Sequence, residues 1–296
     1  MLFLFRALAL LPLPALHGLG TLLGGLAYLL SSRERRRARE NLALAFPDGA
    51  PNGLAWRSAL QSGRALAELP WLWMRPIEET TARIVRVEGW EAVENARSRG
   101  DAVLFLTPHI GCFEMVGQLI GTRLPITCLY RPPKNPAVQP LYEAGRNRGL
   151  MRIAATDAAG VRMMLKALRQ KETVGILPDQ VPQQGEGLWA PFFGKPAYTM
   201  TLAARFSAMK GVSTFFVYAT REPGGTYHFV VHPEPLMVPE GGEAEARVEA
   251  INRIVESIIR RHPDQYFWSY NRYKAPHAEA HAKLDHGSLN QPQGKE

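Results

Sequence analysis

Val103-Leu104-Phe105-Leu106-Thr107-Pro108-His109-Ile110-Gly111-Cys112-Phe113-Glu114 is the stretch on which the reading of this chain turns. An unbroken apolar run ending in Thr-Pro is the pattern of a strand buried on both faces, as in a parallel sheet covered by helices. His109 follows the strand directly, and a carboxylate, Glu114, stands five positions after it. Open α/β sheets bind their ligands outside the carboxyl ends of their strands, which makes this turn a candidate active site. An imidazole there can remove a proton from a hydroxyl near neutral pH. Glu114 is expected to hold the other ring nitrogen of His109, fixing its tautomer, if the intervening turn opens a helix. His109 and Glu114 are the candidate catalytic pair.

Downstream and just upstream the same rhythm continues. Residues 83–88, 102–107, 126–130, 151–155 and 173–178 read as strands, separated by helical stretches near 90–99, 112–122, 136–147 and 158–170. Strands alternating with helices predict an α/β fold with a mainly parallel sheet flanked by helices. Residues 212–219 and 227–232, separated by Pro223-Gly224-Gly225, read as a hairpin. A helix is expected over 243–261, and the polar, aperiodic segment 277–296 reads as a disordered tail.

Upstream, residues 1–30 are apolar apart from Arg6 and His17, and 7–30 is long enough to cross about 30 Å of hydrocarbon as a helix. Arg33, Arg35, Arg36, Arg37 and Arg39 follow, a basic flank expected to stay on the cytoplasmic side. The apolar run ends on Tyr28-Leu29-Leu30, without the small-x-small site of a cleaved signal, so it reads as a retained N-terminal membrane-anchoring helix. Pro12, Pro14 and the Gly20/Gly24 pair fit a kinked, closely packed helix, and spanning and shallow insertion both stay open. Trp71 and Trp73 suit either a bilayer interface or the core. The organisation is therefore an anchor over 1–31, a catalytic domain over 32–276 and the tail.

With 46% apolar and 21% charged residues among 296, the chain can bury a large core, and bulk disorder is excluded. Its net charge of +8 favours anionic partners. Nucleic acid is not expected, since no helix-turn-helix, zinc finger or RNA-recognition signature is present. Cys112 and Cys128 have no zinc-site spacing and read as core residues, with no metal and no cofactor expected. Arg131, held by Pro132-Pro133 after a strand, suits phosphate or a developing oxyanion. Asp179 and Gln180 end another apolar strand and should share the rim with His109, as substrate-binding groups or as a partner behind it. Residues 185–196, rich in glycine and aromatics, read as a loop walling an acyl groove or covering the core.

The His109-to-Glu114 box resembles the H-x-x-x-x-[DE] box of glycerolipid-type acyltransferases. Its setting resembles the lipid A biosynthesis lauroyl/myristoyl acyltransferase family: Leu129-Tyr130-Arg131-Pro132, Gly175 to Gln180, Pro191-Phe192-Phe193-Gly194, and Pro263 to Trp268 with Arg272-Tyr273-Lys274. The resemblance implies transfer of an acyl chain from acyl carrier protein to the hydroxyl of an acyl chain on a phosphorylated glucosamine lipid. It also implies a place at the cytoplasmic face of the inner membrane of Gram-negative bacteria. After Trp268 the sequence runs Ser269-Tyr270-Asn271-Arg272 where the family usually carries His-Arg-Arg, so the resemblance specifies the reaction class better than the acceptor. A lysophospholipid acyltransferase and a non-catalytic, membrane-tethered binder of anionic lipid are the competing readings.

Overall fold

The computed structural model describes residues 2–133, 135–238 and 243–276; the polar segment 277–296 lies outside the described residues. Six helices precede the sheet: α1 (Leu2–Ala9), α2 (Leu13–Leu30), α3 (Ser32–Ala45), α4 (Leu54–Ala67), α5 (Leu69–Met74) and α6 (Ile77–Thr81). There follow β1 (Ile84–Glu88), α7 (Trp90–Ser98), β2 (Ala102–Leu106), α8 (Phe113–Arg123), β3 (Ile126–Tyr130), α9 (Gln139–Arg146), β4 (Met151–Ala155), α10 (Ala158–Arg169) and β5 (Thr173–Ile176). The chain continues through β6 (Gly187–Phe192), β7 (Lys195–Met200), α11 (Leu202–Ser207), β8 (Val212–Glu222), β9 (Thr226–Val231) and α12 (Ala244–Arg261).

Seven strands form one sheet in the order β1-β9-β8-β2-β5-β3-β4. The five from β8 to β4 are mutually parallel, and the β8–β9 pair is antiparallel. β2 sits near the middle with all five residues buried. Its side chains alternate between two cores, as the strand period requires. Ala102, Leu104 and Leu106 enter the core built with α10, α11 and α12, whereas Val103 and Phe105 enter the one built with Trp90, α8 and α5. The expected mainly parallel sheet flanked by helices is the observed one.

Two local expectations are corrected and one open alternative is decided. The apolar N-terminus is two helices, broken at Leu10-Leu11-Pro12, because Pro12 has no N–H to continue α1. Residues 185–196 contain the β6–β7 hairpin, closed by Phe193 and Gly194 with φ of 48° and 74°, the left-handed pair of a tight hairpin turn. Pro191 opposite Pro196 had concealed it, since proline argues against a strand. Trp71 and Trp73 are core residues, 1% and 3% exposed, which excludes the bilayer-interface alternative for both.

α2 packs along α4 on a seam of glycines. A Cβ on Gly20 would lie 2.6 Å from the Gly63 carbonyl oxygen, and one on Gly24 would lie 2.3 Å from that of Ala59. Its opposite face exposes Leu19, Leu22, Leu23, Leu26, Leu29 and Leu30. This is the candidate membrane anchor, 18 residues long and apolar enough to cross a bilayer. Arg35 Nη1 donates to the Tyr28 carbonyl at 2.6 Å, satisfying one of the carbonyls left open at the end of α2.

Candidate active site

Parallel pairing carries the site. Leu106 at the end of β2 lies in register with Ile176 at the end of β5, so the segments leaving both strands emerge at one edge. Thr107 N–H continues the ladder to the Ile176 carbonyl at 3.0 Å. Two residues further on, His109 meets Asp179. The backbone N–H of His109 donates to Asp179 Oδ2 at 2.9 Å, and its Nδ1 lies 2.7 Å from Oδ1. An Nδ1–H donating to the carboxylate leaves Nε2 with its lone pair, and Gln180 Nε2 lies 3.0 Å from it. The His109 side chain keeps 19% of its surface while that of Asp179 keeps 1%. Burial alone would raise the Asp179 carboxyl, but the charge and hydrogen bonds of His109, with help from Arg272, hold it below the usual carboxylate range. It is therefore a carboxylate at neutral pH.

Glu114 does not occupy the role expected from its spacing. It lies in the first turn of α8, where its carboxylate accepts from Arg146 Nε at 3.1 Å to Oε1 and 3.2 Å to Oε2, and also from Arg146 Nη2. Trp73 Nε1 donates to Oε2 at 3.2 Å. The helix opens at Phe113, which directs Glu114 onto α9 and α5, and the ring nitrogen it was expected to hold is taken by Asp179. Arg146 escaped the sequence reading because an isolated arginine at a helix end is unremarkable. The one available signal is Tyr142 four residues earlier, whose ring lies 5.1 Å from the guanidinium.

The turn itself is fixed from below. Gly111 has φ of 55°, and a Cβ there would stand 2.0 Å from the Ala219 carbonyl oxygen. Its N–H donates to the Gln265 carbonyl at 3.0 Å, and its own carbonyl accepts from Arg221 Nη2 at 2.8 Å. Arg221 pairs with Glu68, which also bonds His17 Nε2 and the Tyr227 hydroxyl, each at 2.9 Å. Burial would raise the Glu68 carboxyl, but Arg221 and His17 hold it down at about 2. This cluster, drawn from α2, the α4–α5 junction, β8 and β9, braces the His109 turn.

Around the site lies a cavity of about 1290 Å³. Its apolar wall includes the buried Phe105, Ile120, Ile126, Met151 and Ile176, with Gly117 and Gly175 leaving room between the side chains. His109, Glu114, Arg146 and Gln180 line it too, as do the exposed Arg131, Arg162 and Arg205. Asp179 stands behind His109, not on the rim. Such a space suits a long apolar chain with polar groups where it opens. Neither cysteine is set up as a thiolate: burial, followed by the Glu68 charge, pushes the Cys112 thiol far up, and burial and Glu114 push that of Cys128 to about 12. Among the described residues no group of three or more His, Cys, Asp or Glu is arranged to hold a metal. An oriented imidazole, a buried carboxylate behind it and an apolar cavity beside it can deprotonate a hydroxyl next to a long acyl chain.

The sequence profile of bacterial lipid A biosynthesis acyltransferases matches residues 1–275, and the chain belongs to that family. It is 27% identical over 268 residues to the lipid A biosynthesis lauroyltransferase of Escherichia coli (strain K12), covering 89% of this chain and 87% of that protein. Identity to the lipid A biosynthesis palmitoleoyltransferase of the same strain is also 27%, over 269 residues, covering 89% of this chain and 86% of that protein. A lipid A biosynthesis acyltransferase of Haemophilus influenzae is 28% identical over 285 residues, covering 92% of this chain and 88% of the relative. Acyl transfer in lipid A biosynthesis is the activity this family supports.

Proposed function

We propose that this chain moves a fatty acyl group from an acyl carrier protein thioester to a hydroxyl of a lipid A precursor or related phosphorylated glycolipid, at the cytoplasmic face of the inner membrane. The observation that carries the reading is the His109–Asp179 pair opening onto the apolar cavity. The acceptor hydroxyl displaces Gln180 from His109 Nε2 and gives up its proton there as its oxygen attacks the thioester carbonyl. Asp179 stabilises the imidazolium. Collapse of the tetrahedral intermediate forms the new ester C–O bond and breaks the C–S bond, and His109 returns the proton to the departing thiolate.

The Glu114–Arg146 pair is the second catalytic element, with Glu114 aiming the guanidinium at the cavity where negative charge gathers. Arg131, exposed on the same wall, is the candidate contact for an acceptor phosphate. The leucine face of α2 beside the arginines of α3 supports the membrane placement, a hydrophobic surface next to cationic groups that suit anionic headgroups.

The test is a donor comparison with purified full-length protein and a lipid A precursor. Acyl carrier protein and coenzyme A thioesters of one chain length are compared at low and high ionic strength. The proposal expects preference for the carrier protein and a rate that falls with salt, since encounter of an acidic carrier with a +8 chain is screened over about 8–10 Å. A preference for coenzyme A would favour a different donor, and a carrier-dependent rate indifferent to salt would remove the steering of the carrier by charge.

A further inference from the structure

Glu114 has three donors in two places: Arg146 on α9 and the indole of Trp73 on α5. That indole has little freedom. Phe5 of α1 stacks on it with centroids 6.0 Å apart and planes 25° from parallel, and Tyr142 lies 5.0 Å away. Gly145 leaves room for it, since a Cβ there would stand 2.5 Å from Trp73 Cγ. The Arg146 guanidinium stands 5.3 Å from its centroid. α1 is tied to the end of α5 a second time, where Arg75 Nε donates to the Ala9 carbonyl at 2.7 Å and Nη2 to that of Leu10 at 3.1 Å.

α1 has eight residues, too few to hold a helix in water without support on its sides. Its inner side has that support in Trp73 and Arg75. Its outer side exposes Phe3 at 85% and Leu4 at 59%, and Leu10 just beyond its end at 76%. Three residues separate it from α2, whose outer face is a row of leucines followed by the arginines of α3. An anionic lipid surface is the occupant that fits this combination.

We propose that α1 is a positioning element of the active site: seated on lipid, it fixes Trp73 through Phe5, and Trp73 fixes the Glu114 carboxylate that aims Arg146. The inference rests on the reading of Glu114 and Arg146 given under Proposed function. Turnover is then set by how α1 is seated and not by tethering alone.

The experiment uses full-length protein bound to phosphatidylethanolamine/phosphatidylglycerol vesicles, reading kcat and KM per bound enzyme together with the melting temperature. Trp73→Phe keeps the ring and removes the N–H. It is expected to lower kcat about tenfold with KM within about twofold, the loss of one hydrogen bond to a charged group. Phe5→Leu keeps apolar bulk and removes the stacked ring; its kcat should fall comparably, and the double variant should fall little further. Leu26→Ala, on the outer face of α2, should weaken vesicle binding and leave the kcat of bound enzyme unchanged. Glu114→Gln separates the two readings: wild-type turnover there would overturn the catalytic role of Glu114 and this inference with it. A defective Glu114→Gln beside wild-type kcat in Trp73→Phe and Phe5→Leu would overturn the positioning role alone. Full additivity of Phe5→Leu and Trp73→Phe would also overturn it.

Discussion

Nδ1 of His109 lies 2.7 Å from Oδ1 of Asp179, a residue 70 positions later in the chain, and the parallel register of β2 with β5 is what brings them together. His109 is held twice by one carboxylate, at its ring Nδ1 and at its backbone N–H. Its tautomer and direction are therefore set before any substrate arrives.

Asp179→Asn is expected to lower kcat by at least about 100-fold while leaving KM for the acceptor nearly unchanged. The amide offers an N–H where the ring needs an acceptor and cannot stabilise imidazolium. Steady-state kinetics check this. A kcat within a few-fold of wild type would assign Asp179 to structure alone.

Arg146→Lys is expected to lose roughly tenfold or more in kcat. The guanidinium donates to Glu114 through both Nε and Nη2, a fork that an ammonium does not reproduce. In a double-mutant cycle Glu114→Gln and Arg146→Lys should be strongly non-additive, because the two side chains act as one unit.

Glu68→Gln is expected to destabilise the protein by about 3–5 kcal/mol, since it leaves the Arg221 charge buried without its counterion. The pH dependence follows from the same pair. Glu68 is depressed in the folded protein from its ordinary 4.5 to about 2, so its stabilisation is present above about 4.5 and lost as pH falls towards 2. Melting temperature against pH should fall over that interval in the wild type. The variant should lack this component.

Much of the fold was legible because β2, β3, β4 and β5 are short apolar strands between amphipathic helices, and Pro223-Gly224-Gly225 marks the β8–β9 turn. The β6–β7 hairpin was hidden by its prolines and by a Phe-Gly turn in place of the usual Asn-Gly. At the site, local spacing identified His109 and placed Asp179 and Gln180 at the same sheet edge. It could not decide which carboxylate reaches the ring. That depends on β2–β5 register and on where α8 starts, and Phe113 as its first residue sends Glu114 towards Arg146. Arg146 and the Glu68 cluster are tertiary arrangements, with partners from 32 to 159 positions apart, and beyond Tyr142, four residues before Arg146, nothing local signals them.

The central claim is that His109 moves the proton in acyl transfer. The most direct measurement is transfer of a labelled acyl group from acyl carrier protein to a lipid A precursor by vesicle-bound His109→Ala beside the wild type, with melting followed in parallel. The expected result is a loss of about 10²–10⁴ in rate at an unchanged melting temperature. Turnover close to wild type in a folded His109→Ala protein would contradict it.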